Sequence, residues 1–423
     1  MARQQSSSNR TERRHGRRFR TRKAQSSIWA TLPQHRRPRW TRLWRSSHVR
    51  VPMQLSSFLC CALLGAQLAT TSRADASDVE TTEHIGTQQS TSAGSAAARN
   101  DDASICKTLS TCLTIAQDNT QASADRSAAY SSAGYIRIDG NELDLAEEYF
   151  SRALELDANS DTAYAGRSDA EFAKGAYEKA IADAKKAVEL KPGSHPDAYL
   201  ILGTLADRDG DHEARIGYMN KAIAVAPDFA EAYAGRGNGY LAQNKYDLAL
   251  IDFNKAIALK PELSAMLQQA FEVAYVERGG LYVKDGNYGA AIDDYTRTLQ
   301  LNPFNTRALN DRGDAYNMTG DFDRAIADFT KAIESDPSYP YAYSNRGLSY
   351  FKIGRNDQAL LDLDKAIELN DQSSSTYFVR GEVYRSKADF KSALADFQKA
   401  LELTPDDDPG RTNMLSAIES VKR

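Results

Sequence analysis

The stretch AEAYAGRGNGYLAQNKYDLALIDFNKAIALKPEL, residues 230–263, recurs along the chain with its small, aromatic and proline residues at fixed offsets. TRALNDRGDAYNMTGDFDRAIADFTKAIESDPSY at 306–339 and SSTYFVRGEVYRSKADFKSALADFQKALELTPDD at 374–407 are two further copies. With the fainter ones, eight 34-residue units occupy 127–160, 161–194, 196–229, 230–263, 272–305, 306–339, 340–373 and 374–407. Such a period marks a stacked architecture, because one unit cannot bury its apolar face alone. Within the 230–263 unit, Tyr233, Gly237 and Tyr240 share one helical face, and Tyr246, Ala249, Phe253, Ala256 and Ile257 share a second.

Small residues at fixed places predict close helix approach. Gly237, Gly279, Gly313, Gly347 and Gly381 hold the eighth position. Alanines hold the twentieth (Ala249, Ala291, Ala325, Ala359, Ala393) and the twenty-seventh (Ala256, Ala332, Ala366, Ala400). Pro192, Pro227, Pro261, Pro303, Pro337 and Pro405 stop the second helix, since proline donates no hydrogen bond and clashes with the preceding turn. This pattern resembles the tetratricopeptide repeat, over 272 of the 423 residues. The resemblance implies an all-α, right-handed superhelical solenoid of about eight helix-turn-helix repeats. It also implies an inner wall drawn from positions 2, 5, 9, 12 and 13 of each first helix: Tyr135, Ile138, Phe172, Leu200, Leu241, Val283, Leu348, Phe351 and Phe378, interspersed with Asp169, Asp207, Asp314 and Glu382. Exposed there, these side chains are expected to form a peptide-binding groove for an extended or helical segment, apolar with basic residues; the alternative is that several of them pack against neighbouring repeats. The family's carboxylate clamp needs Lys at position 5 and Asn at position 9. Position 5 reads Ser131, Ala165, Leu200, Ala234, Val276, Asn310, Ser344 and Phe378, and only Asn238 fits position 9, so no clamp is expected.

At the seventh position, where the family signature has Leu, six units carry Arg, and the same six carry Asp at the twenty-third. The units at 127 and 196 lack both, with Ala133/Tyr149 and Leu202/Tyr218. In a hairpin turning between positions 15 and 16, residue 23 falls within reach of residue 7. Pairing between neighbouring units would leave three of the seven junctions mismatched. Structural ion pairs inside units follow: Arg167–Asp183, Arg236–Asp252, Arg278–Asp294, Arg312–Asp328, Arg346–Asp362 and Arg380–Asp396. The competing reading, an arginine ladder for nucleic acid, is disfavoured because every Arg has a matched acid.

Residues 1–52 hold 14 Arg and one Lys against Glu12 alone and read as a basic arm, either disordered or lying ahead of the true start; Met1 and Met53 are both candidate starts. The apolar run Leu55–Ala69 and then Ala74-Asp75-Ala76 make residues 53–76 a secretory signal peptide, with cleavage between Ala76 and Ser77. Retained as an anchor, the segment would be the one route to a membrane, and its basic flank would still place the repeats outside. Export to the periplasm or the extracellular space is the expectation; a mitochondrial presequence is the alternative. Residues 77–102 read as a disordered linker, 103–126 as an N-terminal capping helix, 127–263 as repeats one to four, 264–271 as an inserted helical extension, 272–407 as repeats five to eight, and 408–423 as a C-terminal capping helix with Met414, Leu415, Ile418 and Val421 on one face.

From Ser77 onward there are 37 basic and 55 acidic residues, a net of −18, which repels phosphate backbones and favours basic or apolar protein partners over nucleic acid. No cofactor is implied. His84, His195 and His212 have no metal-ligand partner at helix spacing, and neither a phosphate-binding glycine loop nor a G-x-S-x-G elbow occurs. Cys60 and Cys61 leave with the signal, so Cys106 and Cys112 remain, an even count for an oxidising compartment. A Cys106–Cys112 disulfide requires a turn, with the helix starting near Ser110; otherwise the two are reduced, half-buried residues of one helix. The sequence therefore predicts a non-enzymatic protein–protein interaction scaffold of the cell envelope or secreted. The alternative is an accessory or regulatory subunit of an envelope enzyme or secretion machine.

Overall fold

The computed structural model describes residues 105–422. The basic arm, the signal with its Ala76–Ser77 cleavage site and the 77–102 linker lie outside the described residues. Among the described residues there are eighteen α-helices and no strand. A short α1 (Leu109–Gln117) precedes eight antiparallel pairs. These are α2 (Ser123–Asp139) with α3 (Leu143–Leu156), α4 (Asp161–Ala173) with α5 (Tyr177–Leu190), α6 (Pro196–Arg208) with α7 (His212–Val225), and α8 (Ala230–Ala242) with α9 (Tyr246–Leu259). The second half pairs α10 (Ser264–Lys284) with α11 (Tyr288–Leu301), α12 (Thr306–Thr319) with α13 (Phe322–Ser335), α14 (Pro340–Lys352) with α15 (Asn356–Leu369), and α16 (Ser374–Ser386) with α17 (Phe390–Leu403). A final helix, α18 (Arg411–Val421), closes the all-α solenoid.

One core residue recurs in every pair, at position 24: Phe150, Ala184, Met219, Phe253, Tyr295, Phe329, Leu363 and Phe397 are all buried. Its ring or chain lies against the glycine at position 8. A Cβ on Gly237 would stand 2.6 Å from the Phe253 ring and 3.2 Å from the Ala249 carbonyl, so no side chain fits. The second repeat is the exception, with Ser168 and Ala184 at these two places.

The turn inside each pair obeys a rule of its own. Position 15 has positive φ in all eight repeats: Gly175, Gly210, Gly286, Gly320 and Gly354, with Asn141, Asn244 and Ala388 in the others. Gly and Asn tolerate this left-handed backbone, whereas Ala388, at φ 61°, sets its Cβ against the following carbonyl. Ala388→Gly is expected to stabilise the last repeat by about 1 kcal/mol, read as a raised midpoint in urea unfolding with an unchanged slope.

The inserted residues continue straight into α10, which reaches 21 residues. Leu263, Leu267, Ala270 and Phe271 are buried, and the Phe271 ring lies 5.4 Å from Phe253 and 6.0 Å from Tyr275. Local packing is therefore the use the extension is put to. Its outer edge is tied forward as well: Gln268 donates to the Leu301 carbonyl (3.0 Å), and Glu272 accepts from Asn302 (3.0 Å) and Asn305 (3.1 Å).

At the N-terminal end, Cys106 and Cys112 are joined by a disulfide with Cα atoms 5.2 Å apart. Thr108 caps α1 and forms a reciprocal capping box with Thr111, which turns the chain between the two cysteines. Residues 103–126 are not one helix, since α2 already begins at Ser123. At the other end Met414, Ile418 and Val421 of α18 are buried, but Leu415 is half exposed; one residue on from Met414, it turns off the covered face.

Candidate functional site

The six arginines at position 7 are each held in the same way. In every case Nε and Nη2 donate to the two carboxylate oxygens of the Asp at position 23, as for Arg312 and Asp328 (2.7 and 2.8 Å) or Arg236 and Asp252 (2.7 and 2.8 Å). Arg167–Asp183, Arg278–Asp294, Arg346–Asp362 and Arg380–Asp396 repeat the fork. The aspartates are almost fully covered and the arginines mostly so. Nη1 reaches backwards instead, to position 25 of the preceding repeat: Ser151, Asn220, Thr296, Thr330 and Asp364 accept from Arg167, Arg236, Arg312, Arg346 and Arg380. One guanidinium thus binds its own hairpin together and ties it to its neighbour.

Tyrosines complete the clasp. The Arg346 guanidinium lies 5.9 Å from each of the Tyr343 and Tyr350 rings, and Arg278 lies 5.7 Å from each of Tyr275 and Tyr282. Arg236 and Arg380 are flanked alike. The spacing 4-7-11 puts Tyr, Arg and Tyr on one helical stripe, so the aromatic partners were legible in the aligned copies although the Arg–Asp match alone draws the eye.

The inner wall departs from expectation in one respect. None of its apolar members is freely exposed. Tyr135 packs edge-on against Phe150 (5.1 Å) and Phe172 against Tyr177 (5.8 Å), while Phe378 lies tilted against Phe397 (5.5 Å). Leu200, Leu241, Val283 and Phe351 sit half-buried over the cores around Met219, Phe253, Tyr295 and Leu363. Each leans over its hairpin to cover the residue at position 24 or its surroundings, so the wall offers edges of rings rather than whole rings.

What the wall does offer is charge and polarity, concentrated in repeats five to seven. Successive first helices are cross-linked by Asn345 to Asn310 (3.1 Å) and Ser349 to Asn317 (2.7 Å), and farther on by Ser344 and Thr376 (3.0 Å). Glu277 binds Arg307 at 2.6 Å, and Arg307 stands 3.5 Å from Asp311. One turn on, Asp314 makes no ion pair. Burial, and then the neighbouring Asp311 charge, pushes the Asp314 carboxyl up to about 6. Burial also lifts Asp311 to about 6, against the pull of Arg307 and a hydrogen bond from Asn310. Glu277 and Asp311 therefore share one guanidinium, and Asp314 stands outside that pairing. Of the other acids expected on the wall, Glu382 is bound to Arg385 (2.5 Å) and Asp169 is half-buried. Asp207 accepts from His212 (2.7 Å) and pairs with the buried Arg215. Glu277, Arg307 and Asp311 were not singled out from sequence. Position 6 would have shown two of them, since it is acidic only in repeats five and six.

Family models described as tetratricopeptide repeat match residues 132–195, 196–229, 230–263, 276–340, 340–373 and 374–407. The gap they leave inside the array falls on the inserted turns of α10. A rice (Oryza sativa subsp. japonica) protein, Protein SGT1 homolog, is 38% identical over 68 residues, which make up 16% of this chain and 18% of that relative. Among solved structures, YrrB, a TPR protein with an unusual peptide-binding site, is 26% identical with a TM-score of 0.36, over 46% of this chain and 95% of its own. The first TPR of Spaghetti (RPAP3), solved with an HSP90 peptide, is 28% identical with a TM-score of 0.28, over 28% of this chain and 94% of its own. With the hairpins, the glycine–aromatic contacts and the matches to the family models together, the chain belongs to the tetratricopeptide repeat family.

Proposed function

We propose that the chain is a non-enzymatic scaffold that holds an extended or helical segment of a partner protein along the first-helix wall, and that the segment carries basic residues among apolar ones. The observation that carries this reading is the surplus of acid in repeats five and six, where Glu277 and Asp311 share Arg307 and Asp314 makes no ion pair. Asp311 and Asp314 stay side by side at a cost to the fold, and such a cluster gains most from an incoming cation. The surplus of acidic residues over the whole array favours the same partner. Recognition of peptides by tetratricopeptide repeats, as in the HSP90-peptide complex named above, supports the mode but not the sequence bound. Export to the cell envelope or beyond is part of the proposal. It is supported by the apolar core and Ala74-Asp75-Ala76 site of the N-terminal sequence and by the Cys106–Cys112 bridge.

The test is fluorescence anisotropy with labelled Lys/Leu-containing peptides and their Glu/Leu counterparts. Lysine peptides are expected to bind, with affinity falling as salt rises, and Asp311→Asn/Asp314→Asn is expected to weaken them about tenfold while leaving the fold intact or firmer. Equal binding of the acidic peptides, or an affinity indifferent to both substitutions, would defeat the reading.

A further inference from the structure

Glu171 is the one acid among the clasps that has no part in them. It occupies position 11 of the second repeat, where the five other Arg-bearing repeats place a tyrosine over the guanidinium. The side chain is 4% exposed, and its Oε2 is buried without a hydrogen-bond partner. One turn earlier Ser168, fully buried, stands at the position that seven other repeats give to glycine, and its Oγ is also without a partner. The neighbouring cation is already committed. Arg167 spends Nε and Nη2 on Asp183 and Nη1 on Ser151. The other charges bearing on Glu171 are Asp183 and Lys179 from α5 and Glu147 from α3; Glu147 is itself bound to Lys174 at 2.5 Å. A carboxylate in this place is therefore buried beside a second carboxylate and lacks donors of its own, while a neutral carboxylic acid is accommodated.

We propose that Glu171 makes the second repeat a proton-operated joint: with its carboxyl protonated, α3, α4 and α5 pack as described, and on ionisation the buried charge loosens them and shifts the wall at Asp169 and Phe172. Burial and the Asp183 charge push the carboxyl up to about 7 from 4.5, which sets the range over which the joint works. Because the packed state holds the proton more tightly than the open one, the stabilisation is complete below about 4.5 and is lost as pH rises towards 7; above that, both states are ionised and nothing further changes. The inference concerns the second repeat and stands apart from the acid of repeats five and six. It needs no ligand.

Hydrogen exchange of the whole chain, corrected for intrinsic rates, tests it. Between about pH 5 and about pH 7.5, protection of the amides of 143–190 is expected to fall by about fiftyfold, the span that linkage gives for this carboxyl. Glu171→Gln should keep the higher protection at both values, and Glu171→Tyr, which supplies the residue of the five other Arg-bearing repeats, serves in its place should the amide variant fold poorly. Protection in 143–190 that does not change with pH in the natural chain, or that falls equally in the substituted ones, overturns the proposal. Retention of lysine-peptide binding throughout would leave the groove reading untouched by that result.

Discussion

Asp328→Ala is expected to destabilise the sixth repeat by about 3 kcal/mol, because it strands a mostly buried guanidinium rather than merely deleting a surface contact. Arg312 is 17% and Asp328 6% exposed at the side chain, and the pair is joined by two hydrogen bonds that fix both planes. Exposed ion pairs with neither feature contribute a few tenths of a kcal/mol. Arg312→Ala should cost a comparable amount, since it leaves the carboxylate buried instead. A double-mutant cycle in urea should then recover a large coupling between Arg312 and Asp328. Arg312 with Asp294 should show little, because Asp294 is held by Arg278 and the contact of Arg312 in the preceding repeat is Thr296. Equal coupling to both aspartates would contradict the arrangement described.

The second large effect is expected at Phe397. This ring is fully buried, lies 5.5 Å from Phe378, and sits where a Cβ on Gly381 would approach it to 2.6 Å. It also belongs to the cluster that holds Ala417, Ile418 and Val421 of α18. Phe397→Ala removes the ring and leaves a cavity, at about 3–5 kcal/mol. Stability in a repeat array is a sum of unit and neighbour terms, so the loss should remain near the C-terminal end. Unfolding is expected to separate into two transitions, with amides of 374–421 exchanging in the first. A single cooperative transition with uniformly lowered protection would show that the eighth repeat is not an independent end unit.

The hairpins, their glycines and the Arg–Asp forks were legible because each is a match between copies, and eight copies supply their own comparison. The inner wall was read with less success for a physical reason. Position alone gives the direction of Phe172 or Phe378 from its helix, but not how far the ring leans back onto Tyr177 or Phe397. Half-burial is decided by the size of the neighbour underneath, which differs from repeat to repeat. Asp311 and Glu171 escaped notice for the opposite reason. Each is a departure from the shared pattern, and a reading that follows what recurs passes over what does not. Leu415 shows a third limit, since the edge of a helical stripe is blurred by one residue until its partner surface is known.

The eight residues added ahead of the fifth repeat are not a whole unit, and this governs how the gene for such an array can be cut and rejoined. Everywhere else an arginine finds the residue at position 25 of the unit before it. Arg278 does not: Asn254, which holds that place, donates to the Leu250 carbonyl, and Arg278 turns to the exposed Asp247. Loss or duplication of a unit within 306–407 leaves each clasp an acceptor at position 25, Thr296, Thr330, Asp364 or Gln398, whereas loss of 196–229 would set Arg236 against Lys185. A crossover that joins 230–263 directly to a later unit, without the extended α10, uncovers the core around Phe253 that Leu267, Ala270 and Phe271 close. In the currency of recombination the units after the fifth are interchangeable at their clasps, and the coupling that α10 makes is not.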